Sequence, residues 1–243
     1  MPSTEPGAGQ STYRRRLPRL YELHDLLPNP SPPNAYFRDL DQSLATSRAK
    51  LAVYYEIEED LQSLDPKAWT FLKSELAPLL TAHDRKRGWQ QLVDKLNQTK
   101  AYRYLKRAGY EQIEFITPSI VRGRRTPDLI GYRASMKALC EVKTINISDD
   151  EAERRYAGGV GATEIDLTAG FFKKLRYDLT EAKAQLDAFC AANDVQKLIY
   201  LIPNFDDSLH EYADLYERQI QAYLERETPC SGVEIIFNIK RLF

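Results

Sequence analysis

The segment that most constrains the fold is KLIYLI, residues 197–202, because it is apolar almost throughout. A run without alternation between polar and apolar residues indicates a strand that is covered on both faces. Strands of this kind occur where helices pack on both sides of a sheet. The run therefore predicts an α/β protein with a central sheet between helices, and Pro203 marks the end of this strand.

The segments around this run alternate between helical and strand patterns. Apolar residues at helical spacing cover about 88–108, 168–192 and 208–227, and strand patterns cover 110–116, 126–132, 137–145, 197–202 and 233–239. The order is helix, three strands, helix, strand, helix, strand. This order is typical of a mixed central sheet flanked by helices, and we predict one α/β domain over residues 88–243.

The chain before residue 88 has a different pattern. Residues 1–35 contain small polar residues and the proline-rich stretch PNPSPP, so we expect a flexible or extended segment there. Residues 36–87 show apolar residues at helical spacing, and Asp65 followed by Pro66 is a helix start signal. We predict a helical N-terminal subdomain over 36–87, whose apolar faces are candidates to pack on the core, to form a homodimer or to bind a protein partner.

Composition narrows the function classes. The net charge of −1 gives no overall electrostatic attraction to nucleic acid, although a local basic groove stays open. The three cysteines form no CxxC pair, which argues against a disulfide framework or a zinc site and favours a reducing, cytoplasmic location. The three histidines are far apart in sequence, and no apolar stretch approaches the length of a membrane span. We therefore expect no membrane partner.

Charged residues interrupt two neighbouring strand patterns, TPDLIGY and KALCEVKT. Because side chains alternate along a strand, Glu141 and Lys143 share one face. If the two strands form a hairpin that turns at residues 134–135, Asp128 lies opposite Glu141. Opposed side chains have Cβ atoms about 5 Å apart, so two carboxylates there require a counter-charge or a raised pKa.

A divalent cation would meet this requirement. Mg²⁺ favours one or two carboxylates together with waters and substrate phosphate oxygens. Lys143, on the same face as Glu141, could orient a metal-activated water or stabilise charge that develops on a phosphate. The residues thus predict metal-assisted hydrolysis of a phosphodiester bond. The alternative is a solvated edge strand on which Asp128 pairs with Lys143.

The pair of segments TPDLIG and CEVKT, in this order of helices and strands, resembles the PD-(D/E)XK nuclease superfamily. The resemblance covers roughly residues 88–203. It implies a restriction-endonuclease-like αβββαβ core in which Asp128, Glu141 and the main-chain carbonyl of Val142 hold Mg²⁺ or Mn²⁺. It also implies that Lys143 is the catalytic lysine.

Two further segments bear on this resemblance. KAQLDAF is similar to the Gln-Leu-x-x-Tyr element of recombination-type exonucleases, which would place Gln185 in the active site, although Phe189 stands at the tyrosine position. Many superfamily members carry a glutamate on the first core helix, where this chain has Gln98 and, one turn earlier, Asp94. The number of metal ions, and whether Asp94 or Gln98 joins the site, stay open.

Basic residues near the motif are candidate nucleic-acid contacts. They are Arg122, Arg124 and Arg125 before the first motif segment, and Lys173 and Lys174 at the start of the following helix. Such residues contact phosphates and so position the backbone without reading its sequence. The alternative at each position is a surface charge that serves only the solubility of the protein.

Together these features predict a Mg²⁺-dependent nuclease, with DNA as the expected substrate and RNA as the alternative. Two other functions stay open. One is a non-catalytic binding or scaffold protein with a nuclease fold, and the other is a restriction-type endonuclease that acts as a dimer.

Overall fold

The computed structural model describes residues 8–119, 125–145, 166–190, 194–203, 212–227 and 230–238. The protein is mixed α/β, with a five-stranded mixed sheet and flanking helices. It divides into two compact units between Arg103 and Tyr104. Among the described residues, none of the helices combines the length and apolar character needed to span a bilayer.

The first unit is helical. Its elements are α1 (Ala8–Arg16), α2 (Pro18–His24), α3 (Leu40–Thr46), α4 (Arg48–Gln62), α5 (Pro66–Leu76), a 3₁₀ turn (Ala77–Thr81) and most of α6 (Gln90–Arg107). The predicted start of α5 is confirmed, because the Asp65 side chain accepts a hydrogen bond from the backbone N–H of Ala68 at 2.7 Å. The prediction of a helical subdomain over 36–87 agrees with these helices.

The expectation of a flexible or extended segment over residues 1–35 is wrong for α1 and α2. Leu17, Leu20 and Leu23 are fully buried, so apolar burial stabilises this segment. The buried Glu58 carboxylate on α4 accepts hydrogen bonds from the backbone N–H groups of Arg19 and Leu20, at the start of α2. The proline-rich stretch 28–33 is non-helical, as predicted.

The boundary between the units also lies later than the predicted boundary at residue 88. The N-terminal part of α6 packs with the first unit, where Tyr102 hydrogen-bonds Asp65 at 3.2 Å and Arg103 hydrogen-bonds Asp60 at 2.9 Å. The helix ends as predicted, because Gly109 follows it with a φ of +82°.

The second unit contains the sheet. Its strands are β1 (Glu111–Phe115), β2 (Leu129–Arg133), β3 (Met136–Ile145), β4 (Gln196–Pro203) and β5 (Glu234–Phe237), and its helices after α6 are α7 (Ala169–Phe189) and α8 (Ala213–Glu227). The spatial order is β1-β2-β3-β4-β5. The first three strands are antiparallel, and β3, β4 and β5 run parallel. The predicted mixed sheet and its element order are confirmed.

The β2–β3 hairpin turns at Ala134 and Ser135, whose φ values are +48° and +70°. Two residues with positive φ form the tight turn that matches the twist of paired strands. Leu129 pairs with Cys140, and the pairing continues in the same register to the turn. This is the register predicted for a turn at 134–135, and one further step brings Asp128 beside Glu141.

Helix α7 covers one face of the sheet. Its buried residues Leu175, Leu179, Ala182 and Leu186 pack in one apolar cluster with Leu139, Ile199 and Leu201 of the sheet and Tyr216 and Ile220 of α8. Since side chains alternate along β3, the face that carries Leu139 also carries Glu141 and Lys143. The candidate site therefore lies on the α7 side of the sheet.

Candidate active site

Asp128 is held at the start of β2 by its own backbone. Its N–H donates to the carbonyl of Cys140 at 3.1 Å, and its carbonyl accepts from the N–H of Ile116 at 2.9 Å. Its side-chain Oδ2 accepts a hydrogen bond from the N–H of Val142 at 2.8 Å. These bonds fix the Asp128 carboxylate against the part of β3 that carries Glu141.

Glu141 is buried, with 3% of its surface exposed. It lies on β3 between strands β2 and β4, so its backbone position is determined from both sides. Its Oε1 lies 2.8 Å from Nζ of Lys143. Its Oε2 accepts a hydrogen bond from Nε2 of Gln185 on α7, also at 2.8 Å. Glu141 thus contacts both a charged and a neutral donor.

Gln185 connects three segments. Besides its bond to Glu141, its Nε2 donates to the carbonyl of Thr126 at 2.5 Å, just before Asp128. The amide therefore joins α7, the approach to β2 and the middle of β3. The structure places Gln185 against the Glu141 carboxylate, and its role in an active site stays a prediction.

The electrostatics of this cluster are unbalanced. Burial, followed by the charge of Asp128, raises the pKa of Glu141 to about 8, although Lys143 and the more distant Arg125 act in the opposite direction. Two neighbouring carboxylates thus interact in a partly dry environment, and Lys143 offsets only part of the resulting shift at Glu141. Perturbed carboxylates of this kind are typical of functional sites, and a cation is the group that would restore balance.

The basic residues predicted to contact nucleic acid have different positions. Arg125 is exposed and forms an ion pair with Glu181 of α7, and Lys174 pairs with Asp178 at 2.9 Å. Lys173 is exposed on the first turn of α7. Exposed ion pairs stabilise a fold only weakly, so Arg125 can exchange Glu181 for phosphate at small cost, whereas the Lys174–Asp178 pair is partly buried. Arg122 and Arg124 lie outside the described residues.

Asp94 and Gln98, the two candidates on the first core helix, lie in the part of α6 that belongs to the first unit. All the contacts around Glu141 given above are made by residues of the second unit.

Sequence reasoning missed Glu181 and Tyr177, which extend the site along α7. Tyr177, Glu181 and Gln185 are spaced by four residues, and this spacing on the helix that carries Gln185 was a usable signal. It was overlooked because the apolar face of the same helix, which packs the core, dominates its pattern.

The donor set fits a hard divalent cation. Asp128, Glu141 and the Val142 carbonyl that the resemblance implies would supply only oxygen atoms, which Mg²⁺ and Mn²⁺ prefer, and the contacts described around Glu141 include no histidine or thiolate to favour zinc. In the described part of the chain, no group of three or more His, Cys, Asp or Glu side chains is arranged to hold a metal. Mg²⁺ can be held by one or two carboxylates.

Comparison of the chain with protein-family models, curated proteins and solved structures found no match. A function for this site therefore has to be inferred from its residues and their geometry.

Proposed function

We propose that the protein is a Mg²⁺-dependent nuclease that hydrolyses phosphodiester bonds in DNA, with a restriction-endonuclease-like core of the PD-(D/E)XK type. The observation that carries this proposal is the meeting of Asp128, Glu141 and Lys143 in one cluster on adjacent strands. The order of α6, three strands, α7 and β4 supports it, because the superfamily core has the same order.

The chain's own residues would divide the work. Asp128, Glu141 and the Val142 carbonyl would hold Mg²⁺ or Mn²⁺. When bound, such an ion supplies Lewis-acid chemistry, polarising a phosphoryl oxygen and lowering the pKa of water. Gln185 orients Glu141 by donating to one of its carboxylate oxygens. An outer contact of this kind typically affects metal affinity or activity about 10–100-fold.

Lys143 is the residue best placed to act on the substrate. Its side chain is 24% exposed, whereas that of Glu141 is 4% exposed, so the ammonium group reaches from the buried carboxylate towards solvent. From there it can donate a hydrogen bond to an attacking water or to a phosphate oxygen that gains charge in the transition state. Arg125 is positioned to contact the DNA backbone.

Metal binding and cleavage test the proposal together. Calorimetric titration of the full chain with Mn²⁺ should show binding in the wild type and loss of this binding in Asp128→Asn. The wild type should cleave DNA in Mg²⁺ or Mn²⁺, and Asp128→Asn should not. Asp187→Asn is the matched control, because Asp187 lies on α7 in ion pairs with Lys183 and Lys197. Absence of both binding and cleavage in the wild type would reject the proposal.

One observation favours the non-catalytic alternative. Both oxygens of Glu141 already have donors within the protein, and Asp128 accepts a backbone N–H, so the cluster has hydrogen-bond partners without a metal ion. A binding or scaffold protein could keep such a cluster for structure alone. In that case Asp128→Asn would change stability and leave Mn²⁺ binding, absent in both proteins, unaffected.

A further inference from the structure

A face of α7 leads from the candidate active site to an exposed aromatic ring. Tyr177, Glu181 and Gln185 are four residues apart and therefore lie on the same side of the helix. Gln185 contacts Glu141 at 2.8 Å. At 1.5 Å per residue, Tyr177 lies about 12 Å further along the helix axis.

The residues on this face are linked to one another and to the site. Arg125 forms an ion pair with Glu181, and its hydrogen bond is the main cause that lowers the pKa of Glu181 below its ordinary value. Lys143 contributes in the same direction through its charge, and Tyr177 is a further, smaller cause. Tyr177 thus lies one turn along α7 from the ion pair of Glu181 with Arg125.

The fold does not need the ring of Tyr177. Tyr177 is 62% exposed, more than the other exposed large apolar residues of the described part of the chain, Leu26 and Met136. Helix α7 packs on the sheet through Leu175, Leu179 and their neighbours on another face. An aromatic ring left in solvent, on the helix face that carries Gln185, is available for contact with substrate.

We propose that Tyr177 stacks on an unpaired base and that the substrate of this site is single-stranded DNA. Base stacking on aromatic side chains is characteristic of proteins that bind single strands, since any base offers its π-face once it is unpaired. The stacked base lies further along α7 than the phosphate at Lys143, and Arg125, released from Glu181, contacts a phosphate between the two. The inference deepens the proposed nuclease function and rests on it.

Binding and cleavage by the full chain test this inference separately. Fluorescence polarisation in EDTA measures the dissociation constant for a labelled single-stranded oligonucleotide and for its duplex. Tyr177→Ala should raise the constant for the single strand about 5- to 150-fold, the range measured for loss of one stacked base. It should leave the constant for the duplex unchanged. Tyr177→Phe keeps the ring and should bind like the wild type.

Cleavage of the same strands in Mg²⁺ should follow the binding data. Tyr177→Ala should raise the half-saturating concentration of the single strand by a similar factor and keep the maximal rate. Met136→Ala is the matched control, because Met136 is exposed at the turn of the β2–β3 hairpin, away from Asp128. Thermal melting of each variant should match that of the wild type, since both side chains are exposed.

Three results would overturn the inference: wild-type affinity of Tyr177→Ala for the single strand, an equal loss for the single strand and the duplex, or a loss in Tyr177→Phe as large as in Tyr177→Ala. Failure of the proposed function looks different. If the wild type cleaves neither strand form in Mg²⁺ or Mn²⁺, the protein is not a nuclease, and a Tyr177-dependent affinity for single strands in EDTA then assigns the stacking site to a binding protein.

Discussion

The two units of the protein bury charged groups in opposite ways. In the first unit, the buried carboxylate of Asp60 receives Arg103 at 2.9 Å and Lys100 at 3.1 Å. Glu56 and Glu59 complete this network as further partners of Lys100 and Arg103. Burial alone would lower the pKa of Lys100, yet the charges of Asp60 and Glu56 hold it above its ordinary value.

In the second unit, burial has a larger effect on the pKa of the buried group than the adjacent opposite charge has. Glu141 contacts Lys143, yet burial together with the Asp128 charge raises the pKa of Glu141 to about 8. In the first unit, by contrast, the buried carboxylate of Asp60 contacts two cations, so its burial is compensated. A buried carboxylate held beside a second carboxylate lowers stability, and such carboxylates occur where a site needs their charge for a ligand or for catalysis.

The first prediction concerns activity and is the largest effect. Lys143→Ala should lower kcat for DNA cleavage about 10³-fold, equivalent to about 4 kcal/mol, because a donor to the transition state is lost. Single-turnover cleavage assays measure this effect. Lys183→Ala, which removes a surface ion pair with Asp187 on α7, should cleave at the wild-type rate. Full activity of Lys143→Ala would mean that this lysine has only a structural role.

The second prediction concerns the cluster around Asp60 in the first unit. Asp60→Asn should lower the free energy of unfolding by about 3 kcal/mol, because Lys100 and Arg103 are then left partly uncompensated in a buried position. Urea unfolding followed by circular dichroism measures this change. Mn²⁺ affinity per folded molecule should stay at the wild-type value. A stability change below about 0.5 kcal/mol would mean that this network is no more than a set of surface ion pairs.

The third prediction concerns the smallest effect, and it is an increase in the free energy of unfolding. In EDTA, Glu141→Gln should raise the free energy of unfolding by about 1–2 kcal/mol near pH 8, because it removes a charge that the folded protein holds at a cost.

The pH dependence follows from the raised pKa of Glu141. The folded protein binds this proton more tightly than the unfolded chain does, so its stabilising effect is complete below the ordinary pKa of about 4.5 and is lost as pH rises towards 8. The advantage of Glu141→Gln should therefore be small at pH 5 and grow up to pH 8, measured by urea unfolding at each pH. A constant advantage, or a loss of stability at pH 8, would contradict the contrast between the two clusters.

The contacts that local patterns specify were predictable from the sequence. The hairpin register follows from alternation along KALCEVKT and a turn at Ala134 and Ser135, and it brings Asp128 beside Glu141. The strand KLIYLI was identified by its continuous apolar run. By contrast, α1 and α2 were missed, because Pro18 and the neighbouring arginines hide the apolar spacing of Leu17, Leu20 and Leu23. Their burial depends on partners far away in the sequence.

The sequence by itself determined the α/β class, the element order and the identities of the two carboxylates and the lysine that meet on β2 and β3. These features depend on strand alternation and turn chemistry, which act over a few residues. Only the tertiary structure decided that Gln185 donates to Glu141, that Glu181 pairs with Arg125, and that α6 divides between the units. These contacts join segments tens of residues apart, and packing of α7 on the sheet sets them.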